Sequence, residues 1–152
     1  MELTSAACPT NDERVRLFAL LLDTNARLAR SFGTLLESSC DLPLAWFEVL
    51  MQLRTAPDGC LKMTELADAI VHSTGGTTRL IDRLVAAELV ARHNSPDDRR
   101  AIHVAITEAG NAKLDEALAV HLDYLEAHVA QRLNCDERST LTALLSKLND
   151  AV

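Results

Sequence analysis

The stretch Leu80–Gly110 constrains the fold more than any other part of this chain. It begins as a helix, continues as a strand at 89–93 and returns as a second strand at 101–106. The turn between the strands reads Asn-Ser-Pro-Asp-Asp-Arg-Arg and carries two arginines at its tip. A helix can enter the major groove of DNA while such a tip reaches the neighbouring minor groove. The pattern therefore predicts a winged segment that is suited to a DNA duplex.

Composition and charge are compatible with this interpretation. The 152 residues are 48% hydrophobic, which favours one folded domain with a core and argues against disorder. No apolar run approaches the roughly 20 residues that cross a bilayer, and the N-terminus lacks a secretory pattern, so we expect a cytoplasmic protein without membrane contact. The net charge is −7, but segment 62–107 has six basic and six acidic side chains, so the acidic excess lies in its flanks. Affinity for DNA should therefore rest on local contacts.

Apolar side chains at helical spacing predict most of the secondary structure. They predict six helices, over 12–38, 44–54, 65–71, 74–87, 108–133 and 135–148. Thr64 and Thr107 are expected N-caps, and Asn134 with Glu137 has capping-box spacing. Residues 60–63 suit a very short strand, and Gly75 and Gly76 are expected in the first turn of their helix.

This element order predicts a mainly α protein with a small β-hairpin wing, an α+β fold. The whole chain, 1–152, is expected to be a single domain. It would contain a winged helix-turn-helix lobe at about 43–107, with long N- and C-terminal dimerisation helices at about 12–38 and 108–150. Leucine stripes could build a helical bundle across a two-fold axis, at positions 21, 28, 35, 114, 118, 122, 125, 141, 144, 145 and 148. A dimer would place two recognition helices one duplex turn apart, and a monomer that packs these helices onto its own core is the alternative.

Three sequence motifs carry a family resemblance. They are L-x-x-R-L-x-x-x-x-L-V-x-R at 80–92, P-x-D-R-R at 96–100 and I-T-E-A-G at 106–110. Together they resemble the multiple-antibiotic-resistance regulator (MarR) family of bacterial transcription factors. The resemblance implies a homodimer that binds a pseudo-palindromic operator in double-stranded DNA, usually as a repressor. Many relatives release DNA when a small aromatic or phenolic anion binds, and others sense oxidants or metals. Glu88 departs from the pattern, because relatives usually have glycine there.

The wing residues are the first DNA-binding candidates. The family's Asp-x-Arg pattern falls on Asp98 and Arg100, so Arg100 is expected in the minor groove with Asp98 holding its guanidinium. Arg99 is expected to meet phosphate or to form an internal ion pair. The alternative for Asp98 and Arg100 is a solvated surface turn.

The recognition helix supplies the other candidates for DNA binding. Arg79 could read guanine or hold phosphate, whereas Arg83 either joins it or pairs with Asp82 or Glu88. Small side chains at the helix N-terminus could donate to phosphates, and Gly75 would allow close approach of the DNA backbone. These donors are Ser73, Thr74, Thr77 and Thr78.

The remaining chemistry points to no enzyme and no cofactor. Arg16 and Trp46 are candidate effector-binding residues, although an exposed ion pair and a core tryptophan are the simpler interpretations. The four cysteines are widely spaced and the five histidines form no ligand motif, so we expect free thiols and no metal. Two alternatives stay open: a redox- or metal-responsive regulator of the same fold, and a winged-helix interaction module that does not bind DNA.

Overall fold

Six α-helices and a three-stranded antiparallel sheet form the described part of the chain in a computed structural model, which covers residues 12–70, 76–94 and 101–150. The helices are α1 (Glu13–Cys40), α2 (Leu44–Thr55), α3 (Met63–Ala69), α4 (Thr77–Ala86), α5 (Glu108–Leu125) and α6 (Cys135–Asn149). The strands are β1 (Cys60–Lys62), β2 (Val90–Asn94) and β3 (Ile102–Ile106), in the spatial order β1-β3-β2. The α+β fold class is confirmed.

Three predicted helix starts were tested by hydrogen bonds. The Thr107 side chain accepts from the Gly110 N–H at 2.9 Å and begins α5, as predicted. Asn134 and Glu137 form the predicted capping box, with N–H···O distances of 2.8 and 3.0 Å. The prediction that Thr64 is the N-cap of α3 was wrong. The Glu65 carboxylate accepts from the Lys62 N–H at 2.9 Å, which starts α3 at Met63 and leaves Thr64 inside the helix.

Other element boundaries differ by a few residues. Helix α1 runs two residues beyond its predicted end and stops where Asp41 adopts a left-handed conformation, φ 49°. Gly76 occupies the N-cap position of α4 rather than its first turn. Helix α5 ends at Leu125 instead of continuing to 133, because the chain widens into a π-type turn, Glu126–Ala130, before the capping box starts α6.

The core joins the predicted winged lobe to parts of the long helices. Its buried side chains come from the C-terminal half of α1, from α2 to α4, from β2 and β3, and from α5. Leu114 is completely buried in this core, so the expectation that it builds a bundle across a two-fold axis was wrong. The N-terminal half of α1, apart from the half-buried Leu21, and all of α6 instead keep their apolar side chains exposed. The division into lobe and dimerisation helices stays a prediction.

Candidate nucleic-acid interface

Helix α4 has one buried and one exposed face. Ile81 and Leu84 are completely buried, which fixes the orientation of the helix against the core. Arg79 and Arg83 lie four residues apart on the exposed side, about one helical turn from each other. Neither forms an ion pair with another described residue. The exposed face of α4 therefore offers two neighbouring cations to an anionic partner.

The threonines at the start of α4 differ in their accessibility. Thr78 is exposed beside the two arginines, whereas Thr77 is only 8% exposed and turns toward the core. Little of the Thr77 side chain is thus accessible to a phosphate. The predicted residues Ser73, Thr74 and Gly75 lie outside the described residues, and their roles stay predictions.

An ion pair between Arg92 and Asp82 connects the wing sheet to α4. The Arg92 Nη1 atom lies 2.6 Å from the Asp82 carboxylate, and its Nη2 atom donates to the Thr78 carbonyl at 3.4 Å. The Asp82 carboxylate, which the sequence offered as a partner for Arg83, is therefore bound by Arg92. The sequence interpretation gave Arg92 no role, although it is the last position of the 80–92 motif. Arg92 therefore links β2 to α4.

The hairpin brings its two strands together up to the wing tip. Strands β2 and β3 pair from Val90↔Ile106 to Asn94↔Ile102. The tip with Asp98, Arg99 and Arg100 lies outside the described residues, so the assignment of these three to DNA stays a prediction. The register nevertheless pairs Asn94 with Ile102, the described strand residues on either side of segment 95–100.

Three residues, Glu88, Thr107 and Gly110, shape the junction of α4, β2 and α5. Glu88 is left-handed at φ 62°, and the Leu89 N–H donates to the Leu84 carbonyl at 3.0 Å, which closes the end of α4. Thr107 donates from its hydroxyl to the Glu88 carbonyl at 2.7 Å and from its N–H to the Leu89 carbonyl at 3.1 Å. A Cβ on Gly110 would lie 2.0 Å from that Leu89 carbonyl oxygen. The glycine of the 106–110 motif is thus required by backbone contact, a role that sequence reasoning did not assign.

Arg54 joins the lobe to α5. Its guanidinium donates to Asn111 Oδ1 at 3.0 Å and to Asp115 Oδ1 at 2.9 Å. These residues are 57 and 61 positions away along the chain, so no local sequence signal could have revealed the contact. The Arg54 guanidinium thus connects α2 to α5.

The candidate effector residues are not brought together. Arg16 is exposed near the start of α1, and Trp46 is half-buried on α2, where it packs against the core. An open cleft of about 470 Å³ lies between α1 and α2, and neither residue lines it. The residues that line it are Ala29, Arg30, Gly33, Thr34, Glu37, Leu44, Ala45 and Glu48.

Buried titratable groups lie mainly away from the α4 surface. His121 lies against the rings of Phe32 and Phe47, at centroid distances of 4.4 and 5.3 Å, and burial lowers its pKa. Burial raises the pKa of the Cys40 and Cys60 thiols, which disfavours reactive thiolates at both positions. Within the described residues, no three His, Cys, Asp or Glu side chains surround a common metal position.

A three-stranded wing behind a two-helix motif, with arginines on the outward face of the second helix, defines the winged helix-turn-helix class of DNA-binding proteins. Residues 41–101 match the family model described as MarR family. The chain is 32% identical over 111 residues to the multiple antibiotic resistance protein MarR of Escherichia coli, covering 73% of this chain and 76% of that protein. The chain belongs to the MarR family, whose members are transcription regulators and not enzymes.

Solved structures agree with this assignment. A cysteine-to-serine mutant of MarR from E. coli, complexed with operator DNA, superposes with a TM-score of 0.79 at 31% identity, covering 93% of this chain and 99% of that one. BpsR of Bordetella bronchiseptica, whose DNA binding is regulated by 6-hydroxynicotinic acid, superposes with a TM-score of 0.75 at 27% identity, covering 88% and 98%. Among the described residues, no helix is long and apolar enough to cross a membrane.

Proposed function

We propose that this MarR-family regulator is a homodimeric, sequence-specific repressor that a small-molecule effector releases from its operator. The proposal of a dimer rests on the exposed apolar surface of α1 and α6. Phe18 and Leu20 on α1 are 62% and 63% exposed, and Leu144 on α6 is 56% exposed. A monomer seldom leaves so many large apolar side chains in water along adjacent helices.

The same surface contains a groove that a second copy could fill. The groove has a volume of about 1020 Å³ and lies between α1 and α6. Its walls are mainly leucines, among them Leu17, Leu21, Leu141 and Leu145. Because a two-fold dimer contacts itself through identical patches, one leucine-lined groove per subunit is suited to such an interface.

We expect the exposed face of α4 to enter the major groove of the operator. Arg79 and Arg83 would read bases or hold phosphates, with Thr78 beside them as a further donor. The Arg92–Asp82 pair would hold this helix at a fixed angle to the wing. Arg100 at the tip would reach the minor groove. An operator half-site for each subunit makes the full site a pseudo-palindrome.

The effector proposal rests on the BpsR comparison and on the cleft between α1 and α2. That relative responds to a hydroxylated aromatic acid. In this chain the cleft combines apolar walls from Leu44 and Ala45 with the guanidinium of Arg30. Because the carboxylates of Glu37 and Glu48 also line the cleft, a phenolic molecule without net negative charge is the class of effector that these groups would hold. Because chromosomal DNA is its partner, we also expect the protein in the cytoplasm.

Operator binding is tested with DNA from upstream of the protein's own gene, followed by fluorescence anisotropy across a salt series. Arg79→Ala and Arg100→Ala should each weaken binding by about 1–3 kcal/mol, or roughly 5- to 150-fold. Arg132→Ala, an exposed arginine near α6, is the matched control and should change little. Unchanged affinity in both test variants would contradict the proposed DNA contacts.

The dimer is tested by sedimentation of the wild type and of Phe18→Asp. A charge in the apolar interface should convert most of the dimer to monomer, because the carboxylate would lose its water on assembly. Glu13→Asp, at an exposed acidic position on the same helix, should leave the dimer intact. A wild-type protein that sediments as a monomer at micromolar concentration would rule the dimer out.

A further inference from the structure

The register of the wing hairpin places two histidines directly opposite each other. His93 of β2 pairs with His103 of β3. Opposite residues of an antiparallel pair project from the same face of the sheet, with Cβ atoms about 4.5–5.5 Å apart. Two imidazoles at this separation can turn their ring nitrogens toward one cation at the usual distance of about 2.0–2.1 Å.

Both rings are free to make that turn. His93 is exposed and His103 is half-buried. Within the described residues, neither ring makes a hydrogen bond, an ion pair or a ring contact. His121 and His128 differ in this respect, because both stack against aromatic rings of the helical core. Strands β2 and β3 also hold the histidine backbones in register, so a chelate would need only side-chain rotations.

We propose that His93 and His103 form a two-histidine site for a divalent transition cation of the zinc and nickel class. Neutral imidazole nitrogen favours these ions, whereas magnesium and calcium favour oxygen ligands. The described residues provide no third side-chain ligand, so water completes the coordination and the site is open. This site goes beyond the sequence analysis, which predicted no metal, because neither histidine belongs to a local ligand motif.

The neighbouring Lys62 makes phosphate the alternative ligand of the His93–His103 site. It pairs with His103 from the opposite side, so Lys62, His103 and His93 form one row across β1, β3 and β2. An ammonium group in this row repels a cation and would attract a phosphate. The cation is favoured because the two imidazoles are direct neighbours, while the exposed lysine has a flexible stem that carries its charge toward solvent.

A bound cation would cross-link the two strands just outside segment 95–100. His93 lies two residues before that segment and His103 three residues after it. The link would reduce the separation and the relative motion of the strands that lead into the wing tip. Any effect on operator affinity rests on the proposed function, whereas the metal site itself does not.

The experiment titrates the full-length protein, without DNA, with Ni²⁺ and records the histidine ring signals by NMR. Paramagnetic Ni²⁺ should first broaden two of the five imidazole signals, and these should be the signals that disappear in His93→Gln and His103→Gln. Calorimetry should show that each variant binds Ni²⁺ at least about tenfold more weakly. The double variant should bind no more weakly than either single variant, because losing one ligand already destroys the chelate.

Two further variants separate the possible outcomes. Lys62→Gln should strengthen Ni²⁺ binding by removing the neighbouring positive charge, and His128→Gln should leave it unchanged. Unchanged Ni²⁺ affinity in both His93→Gln and His103→Gln would overturn the proposal. It would also be overturned if inorganic phosphate, and not Ni²⁺, perturbed the two signals in a Lys62-dependent manner. Because no DNA is present, neither failure bears on operator binding.

Discussion

Replacing Gly110 with alanine should destabilise the protein through a single added methyl group. Gly110 is buried in the first turn of α5. The added Cβ would lie 2.0 Å from the Leu89 carbonyl oxygen and 2.9 Å from Ile106 Cγ1. The Ile106 side chain can rotate away, but the Leu89 contact is with backbone. The start of α5 must therefore move by about 1 Å or more relative to the α4–β2 junction, since interiors have little free volume.

The cost can be worked out from the contacts that this movement disturbs. Overpacking of this kind costs about 1–3 kcal/mol. The same Leu89 carbonyl accepts from the Thr107 N–H at 3.1 Å, and losing that hydrogen bond costs about 0.5–1.5 kcal/mol more. The expected loss is about 1.5–4.5 kcal/mol, a large share of the roughly 5–15 kcal/mol that stabilises a typical domain. The Tm should fall by about 3–18 °C.

Urea unfolding followed by circular dichroism measures this loss, with protein concentration held constant because the proposed dimer makes stability concentration-dependent. Gly76→Ala is the matched control, because a Cβ there meets none of the described residues beyond its chain neighbours within 4 Å. Alanine is a poorer N-cap than glycine, which lowers stability, but it also reduces the entropy of the unfolded chain, which raises stability. The two effects should nearly cancel, so the free energy of unfolding should change by no more than about 0.5 kcal/mol. If Gly110→Ala is as stable as Gly76→Ala, the reasoning about backbone contact is wrong.

Three further predictions concern the junction, the wing and pH. Glu88→Gly should raise the free energy of unfolding by about 0.5–1 kcal/mol in the same urea assay, because glycine adopts the left-handed φ of 62° without Cβ strain; a loss of stability would contradict this. Arg92→Met should weaken operator binding in anisotropy titrations, because it removes the ion pair that holds α4 against β2. Asp82→Asn should weaken binding to a similar extent. Additive losses in the double variant would show that the two residues do not act as a pair. Burial lowers the pKa of His121 below its usual value, so the neutral form of the imidazole is favoured in the folded state. Stability should therefore be complete above about pH 6.5 and fall as the pH drops below it, and thermal unfolding of His121→Leu should lack that part of the pH dependence.

Local sequence signals predicted the features that depend on neighbours in the chain. Thr107 caps α5 and Asn134 forms a capping box with Glu137 because each interaction spans only three residues. The same reasoning failed at Thr64, where the competing cap at Lys62 satisfied the helix start. It also placed the end of α5 too late, because apolar periodicity continues through the π-type turn at Glu126–Ala130 without marking the change in backbone hydrogen bonding.

The candidate DNA site was predictable only in part. The wing motif and the helical spacing located Arg79 and Arg83, and the structure exposes both. Thr77, grouped with the phosphate donors because of its position near the helix start, is turned inward by the packing of α4. Ile81 and Leu84, which follow Thr77 by four and seven residues, mark the apolar side of α4, so helical spacing alone could have placed Thr77 toward the core.

The amino-acid sequence by itself determined the winged fold class, the order of its helices and strands, and the chemistry available to meet DNA, because periodicity, caps and turn residues act over a few neighbouring positions. Only the tertiary structure decided that Leu114 is buried in its own core, that Asp82 is bound by Arg92 rather than Arg83, and that His93 stands opposite His103. Each of these depends on segments that approach each other in space, where packing and strand register select one partner among several that are chemically possible.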